Sequence, residues 1–340
     1  MNTPIYVPMK KFSEQASQDL FEKGLITENQ FNEIQTYKSL QIFSLNAELK
    51  LFLYLSVILF TSGIGILIYD NIDTIGHIAI LSLLLIVIAV CFFYCFKHSK
   101  GFEKEETKFE HPVIEYLVLA GNILTCIFIG YLQFQYKPFG EHYGLATLVP
   151  TIVSFFCAYY FDNKSVLTIA ITGLAAYVGL SVTPQTLLGN NDFYASQSLS
   201  YSAVILGVLL ILWTIYSRKI SLKTHFGLIF LTFALHIISI AAISNLLNYD
   251  IFIGMIFAVV LGASTYYFYK ASYDYKAMSL YVFMIIYAYV GGNILVFRIF
   301  ENIDFSELFT LIILGLPIYF VGSIILFIKL IKNFHKEIAI

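Results

Sequence analysis

Apolar residues along this chain fall into ten long runs separated by short polar segments. The first pair sets the pattern. LFLYLSVILFTSGIGILIYD begins at Leu51, the polar step NIDTI begins at Asn71, and GHIAILSLLLIVIAVCFFYCF continues from Gly76 to Phe96. At about 1.5 Å rise per residue, a helix of about 20 residues crosses a hydrocarbon core of about 30 Å. Lipid offers no hydrogen bonds to N–H or C=O groups, so a run of this length must be helical there. The pair therefore predicts a helical hairpin in a bilayer. Eight further runs predict spans over 113–134, 143–161, 165–182, 199–216, 226–245, 251–269, 277–297 and 308–328. The expected fold is all-α: a polytopic transmembrane helix bundle of about ten spans.

Residues 1–48 form the one sizeable polar block and are expected to be a small cytoplasmic amphipathic helical hairpin, with residues 49–340 as the transmembrane domain. Phe12, Ala16 and Leu20 recur at helical spacing, and Gly24 is placed to end that helix. Leu25 and Ile26 read as a buried turn. Thr27 is then expected to cap a second helix while Gln30 reaches back to it, as in a capping box. The first apolar run begins only at Leu51, so the first span is expected to act as the insertion signal.

Charge tests this arrangement. With ten spans and a cytoplasmic N-terminus, 18 of the 20 basic residues lie inside, and only Lys137 and Arg298 lie outside. Both termini are then cytoplasmic. The outer side carries Asp70, Asp73, Glu141, Asp192, Asp250, Glu301, Asp304 and Glu307. A parallel repeat is also readable, residues 49–161 against 224–329 in a 4+2+4 arrangement. GNIL occurs at 121–124 and 292–295, and Pro150 and Pro317 fall in the fourth and tenth spans.

Composition narrows the class. The chain has 340 residues, of which 59% are hydrophobic and 12% charged, against about 25% charged in a soluble domain. A net charge of −2 gives no field for nucleic acid. Lysine outnumbers arginine 18 to 2, which hints at an AT-rich bacterial source. Cys91, Cys95, Cys126 and Cys157 all lie in apolar runs with no CxxC pair, so they read as packing residues and no metal or cofactor is expected.

Ionisable groups at bilayer depth point to function because they are expensive to place there. No Asp or Glu falls near the centre of a run; His236 is the one deep ionisable residue, and Arg298 closes the ninth span. Asn122, Gln133 and Asn293 are polar without charge. These five are the candidates for a polar path or for interhelical bonds. Gly63 and Gly65 in the first span and Gly291 with Gly292 in the ninth offer small faces for close helix contact. Catalytic motifs are absent: there is no P-loop, HExxH or GxSxG, and no intramembrane carboxylate pair. Tyr69-Asp70 has no GxGD partner. The chain is therefore not expected to be an enzyme.

The lead-in Gly24-Leu25-Ile26-Thr27-Glu28, followed by a first span ending in Gly63-Ile64-Gly65-Ile66-Leu67-Ile68-Tyr69-Asp70-Asn71-Ile72-Asp73, resembles the bacterial membrane family called domain of unknown function 2157. The resemblance covers about residues 15–100. Members often carry an Asn-Trp pair after the first span; here Asn71 is followed by Ile72. The resemblance implies a polytopic bacterial inner-membrane protein with a small cytoplasmic N-terminal region, and it brings no catalytic residue. Two functions fit these readings. One is a non-enzymatic subunit or assembly factor of a cell-envelope complex, with a membrane-protein partner or a homo-oligomer. The other is a transporter or channel for a neutral or lipidic substrate, passing Asn122, Gln133 and His236.

Overall fold

The computed structural model describes residues 20–21, 23–39, 45–107, 112–140, 143–182, 197–248, 251–301 and 309–338. The expected helix from Phe12, and Glu141, Asp192, Asp250, Asp304 and Glu307, lie outside them. Eleven helices follow in order among the described residues. They are α1 (Glu28–Ser39), α2 (Leu45–Ile75), α3 (His77–His98), α4 (Pro112–Tyr136), α5 (Tyr143–Phe161), α6 (Lys164–Val182), α7 (Gln197–Lys219), α8 (Gly227–Asn248), α9 (Ile251–Asp274), α10 (Met278–Glu301) and α11 (Phe309–Ile338). A 3-10 turn, Thr224–Phe226, leads into α8. All ten helices from α2 to α11 are long and apolar enough to span a membrane. The chain is a multi-pass helical membrane protein.

Two compact units divide the chain, Met1–Phe60 and Thr61–Ile340. Within the first, the backbone turns back at Gly24, whose φ is +66°. Leu25 N–H donates to Leu20 O at 2.9 Å and Gly24 N–H to Phe21 O at 3.0 Å, the paired bonds of a Schellman ending. The capping box forms as expected: Thr27 N–H donates to Gln30 Oε1 at 2.9 Å, and Gln30 N–H to Thr27 Oγ1 at 3.4 Å. Leu25 is not buried, being 69% exposed. The apolar closure here is instead a stack of Phe21 on Phe31, with ring centroids 4.8 Å apart.

The polar step after the first span is not a loop. Residues 71–75 continue α2 as helix, and the helix breaks at Gly76 alone, with φ +80° and ψ 141°. Side chains rarely tolerate that conformation, so the break between the first two spans falls on one glycine.

In the second unit α8 is the central helix. It packs against α6, α7, α9 and α10, and 56% of its apolar window is buried, against 0% for α11. Lipid tails are as apolar as leucine, so helices associate through close van der Waals fit and polar bonds rather than through escape from water. Small residues supply the fit. A Cβ on Gly207 of α7 would overlap Ile238 of α8, and one on Gly291 of α10 would overlap Leu261 of α9. Gly291 thus makes the close contact expected of it. Gly63, Gly65 and Gly292 have no described atom within 4 Å of such a Cβ, so their faces serve no helix contact among the described residues. Two apolar clusters complete the packing: Ile80, Leu84 and Ile88 with Leu124, and Ala242 and Leu246 with Phe257 and Leu261.

These approaches can be tested as a pair. Gly207→Leu should destabilise the detergent-solubilised protein by about 1–3 kcal/mol through overpacking. Gly262→Ala, with open space at its Cβ position, should stabilise it by up to about 1 kcal/mol through helix propensity. Reversible unfolding monitored by circular dichroism reads both changes.

Candidate functional site

Three short connections meet at one end of the bundle: residues 99–107 after α3, Asp162-Asn163 between α5 and α6, and residues 220–226 between α7 and α8. Each of the last two follows a helix that ends in a Schellman-type turn. Asn163 N–H donates to Ala158 O at 3.0 Å with Asp162 at φ +54°, and Leu222 N–H donates to Ser217 O at 2.9 Å with Ser221 at φ +53°. Aspartate tolerates the left-handed region better than most residues because its short side chain bonds locally. Here that turn aims the carboxylate inward.

Asp162 is buried, its side chain 1% exposed. Its Oδ2 lies 3.0 Å from Lys223 Nζ and accepts the Thr107 N–H at 2.5 Å and the Thr107 hydroxyl at 3.3 Å. Its Oδ1 lies 2.5 Å from His225 Nε2. Lys223 is wholly buried; its ammonium also donates to Glu105 O at 3.0 Å, and its backbone N–H donates to Lys104 O at 2.7 Å. Asn163, also buried, donates to Glu115 O at 2.8 Å and accepts the Val166 N–H at 2.9 Å, which caps α6 and ties its start to α4. At the rim Lys164 pairs with Glu106 at 2.8 Å. Burial alone would raise the Asp162 carboxyl; hydrogen bonds from His225, the Thr107 N–H and Lys223 outweigh it and hold the group below its ordinary value. Glu106 is likewise lowered, its partial burial outweighed by the bond from Lys164.

The five sequence-chosen residues sit elsewhere in the bundle, each with its own environment. Asn122 in α4 is wholly buried, and among the described residues neither atom of its amide group has a hydrogen-bond partner. Gln133 folds back on the end of α4, donating to Gly140 O at 2.8 Å and accepting the Phe139 N–H at 3.1 Å, so its amide shapes a loop. His236 Nδ1 lies 2.8 Å from the Tyr287 hydroxyl, with the Phe283 ring edge-on at 4.7 Å, which joins α8 to α10. Asn293 donates to Tyr289 O at 2.7 Å and accepts the Tyr319 hydroxyl at 2.6 Å, which joins α10 to α11. Arg298 donates to Leu247 O at the end of α8. Asn293 and Arg298 share one cavity; Asn122 and Gln133 lie on α4, away from His236 on α8.

Residues 18–167 match the family model described as Predicted membrane protein (DUF2157). Over this stretch, somewhat under half of the chain, the sequence is similar to that family. The match reaches well past the 15–100 segment that carries the resemblance, into the start of α6. No curated protein and no solved structure matches the chain significantly. The DUF2157 stretch holds Thr107, Asp162 and Asn163, whereas Lys223 and His225 come from beyond it. The buried ion cluster therefore fastens the DUF2157 stretch to the helices that follow.

Sequence reasoning missed this cluster. Lys223 counts there as one more solvated inner lysine, yet it is 0% exposed. The available signal is Asp-Asn between two apolar runs, a dipeptide suited to a left-handed helix ending. Its partners stand about sixty positions away in sequence, which no local pattern reveals. The four cysteines are free thiols in α3, α4 and α5, and no metal-holding group of three or more His, Cys, Asp or Glu is found among the described residues.

Asp162→Asn would leave Lys223 buried without its counter-charge. Loss of one partner of a buried pair costs about 3–5 kcal/mol, so trypsin should cleave at Lys100 and Lys104 faster in this variant than in the parent. A second expectation concerns pH. A carboxyl lowered by folding stabilises the folded state above its unfolded value and loses that contribution as pH falls through the folded value. Amide exchange in residues 99–107 and 220–226, corrected for intrinsic rates, should therefore stay slow down to the ordinary carboxylate range and accelerate only below it.

Proposed function

We propose that this chain is a non-enzymatic subunit or assembly factor of a cell-envelope complex in a bacterial inner membrane, with both termini cytoplasmic. The observation that carries the reading is the Asp162 cluster, which fixes three connections on the lysine-rich side into one surface. Loops ordered before docking avoid the entropy cost that mobile loops incur on binding. Around the buried ions this surface exposes Lys100, Glu103, Lys104, Lys164, Arg218 and Lys219, with Phe102 51% exposed beside them. Mixed charge around an exposed aromatic side chain is the composition of a protein-docking face. On this reading the N-terminal hairpin is a second docking element.

Asn122 favours a second reading, a transporter or channel for a neutral or lipidic substrate. A buried amide without partners costs several kcal/mol in an apolar setting, and a hydrogen-bonding substrate passing that point would relieve the cost. Asn122→Leu and His236→Leu should then abolish the cellular activity while leaving the protein folded; full activity in both would sink the polar path.

The deciding experiment is native mass spectrometry of the assembly extracted from its own membrane in mild detergent. The subunit reading expects a stoichiometric partner protein that is lost when residues 1–45 are deleted or Phe102→Ala is introduced. A lone chain or homodimer carrying a reproducible small molecule would overturn it in favour of transport.

A further inference from the structure

His236 stands midway through the span Thr224–Leu247, with about 16–18 Å of helix on either side of it. Its Nδ1 lies 2.8 Å from the Tyr287 hydroxyl, and Tyr287 is likewise central in its own span, Met278–Arg298. A neutral imidazole carries one N–H and a phenol one O–H, so the bond between them uses one donor and leaves the other. The tautomer decides which is left: the Nε2–H where the tyrosine donates, the phenolic O–H where the histidine does. Neither side chain makes a second hydrogen bond among the described residues. The pair is not enclosed. Both residues are half-buried, Phe283 is 41% exposed with its ring edge-on to the imidazole at 4.7 Å, and Ile240, one turn along α8, is 57% exposed. Acyl chains accept no hydrogen bond at this depth, so the remaining donor calls for a ligand that dissolves in the hydrocarbon core.

We propose that His236, Tyr287 and Phe283 form a binding site for a lipid-soluble quinone. One ring carbonyl accepts the donor left over from the His236–Tyr287 pair, and the flat ring packs against Phe283. Three constraints select this class. The ligand must reach the bilayer midplane, about 15 Å below the phospholipid esters, which excludes the headgroups of ordinary lipids. It must bring an acceptor, because the pair keeps a donor in either tautomer. It must be flat and apolar outside its carbonyls, because its surroundings are aromatic and aliphatic side chains: Phe283, Ile286 and Ile240. A prenylated quinone meets all three. The site does not depend on the subunit reading, and its failure would leave that reading untouched.

The test uses the full chain in detergent micelles, with retained ligand counted by native mass spectrometry. The probes are a ubiquinone with a two-isoprene tail, farnesol, which is a prenyl chain without a ring carbonyl, and dioleoylglycerol, which has carbonyls but no flat ring. The parent should keep one quinone and hold the other two at least about tenfold less, the scale of one lost hydrogen bond. In the infrared spectrum of the bound quinone, one carbonyl band should move to lower frequency. His236→Phe combined with Tyr287→Phe removes both donors; it should lower retention about tenfold and abolish the shifted band. Ile240→Trp covers the pair from one turn along the same face and leaves both donors in place. It should also lower retention about tenfold, so the test stands even where the double variant misfolds. Ile318→Trp, at a position of α11 that is 77% exposed, should change nothing. Equal retention of farnesol or dioleoylglycerol, an unshifted carbonyl band, or parent-level retention in Ile240→Trp would overturn the site. A homodimer that takes up no quinone and separates in Ile240→Trp would overturn it too, because the face would then be a contact between copies.

Discussion

A carboxylate buried as deeply as Asp162 cannot remain ionised alone; the cost of removing it from water exceeds what one contact returns. Its oxygens are met by an ammonium, an imidazole nitrogen, a backbone N–H and a hydroxyl, drawn from two separate connections. Each connection is thereby fixed by a group that it cannot release cheaply. The surrounding backbone reflects the same constraint. Asp162, Ser221 and Lys223 all adopt positive φ, a conformation that non-glycine residues hold where surrounding contacts overdetermine it. The three connections follow α3, α5 and α7, so tying them together constrains those helix ends relative to one another. Remaining helix contacts in the bundle can then rely on weak forces alone.

Those weak forces explain why burial is so uneven. In a bilayer a helix gains little by leaving lipid for protein, so a span stays where small residues or polar bonds hold it. α8 is gripped along its length, at Gly207 against Ile238 and at His236 against Tyr287. α11 is held differently, by aromatic and hydroxyl contacts: Tyr281 stacks on Phe334 at 4.0 Å, and Tyr319 and Ser323 reach the hydroxyl-bearing face of α10. Its remaining surface carries exposed Ile318, Phe320, Val321 and Ile324, a composition that lipid itself satisfies. Exposed apolar residues on a spanning helix therefore have a ready solvent in lipid, whereas an exposed Phe102 in a polar connection does not.

What was legible in the sequence follows from the range over which each signal acts. Span number and order came through because length and apolarity are properties of a contiguous window, and lipid enforces helix within it. Gly24 and the Thr27–Gln30 cap came through because both are settled within six residues. At Gly76 the sequence shows only a polar step, because residues 71–75 are polar, while the helix carries them past the end of the span. The candidate site was legible only in pieces. Asn122 and His236 stood out by polarity in an apolar run, yet polarity alone does not reveal that His236 meets Tyr287 while Asn122 meets no described partner. Lys223 was hidden for the opposite reason: lysine near a span end is ordinarily solvated, and only the crossing of three connections buries it.

The chemically loaded groups of the second unit lie mostly at the two ends of α8 rather than midway, and this separation limits what one end can do to the other. A ligand at one end changes affinity or packing at the far end only through an element with two arrangements whose balance both ends shift. α8 is rigidly seated: Ile238 fills the notch left by Gly207, and its lower end is tied to the ion cluster by the turn holding Lys223, His225 and Phe226. A helix seated in this way would have to shift as a body, breaking the Asp162 contacts, before a change at Arg298 could be felt at the connections. The balance of energies opposes that. A buried pair worth several kcal/mol when broken outweighs the ordinary contribution of a ligand bond at a partly exposed rim, about 1–3 kcal/mol. The contacts at the two ends therefore hold independently, the Asp162 cluster at one and the Arg298 bond to Leu247 O at the other.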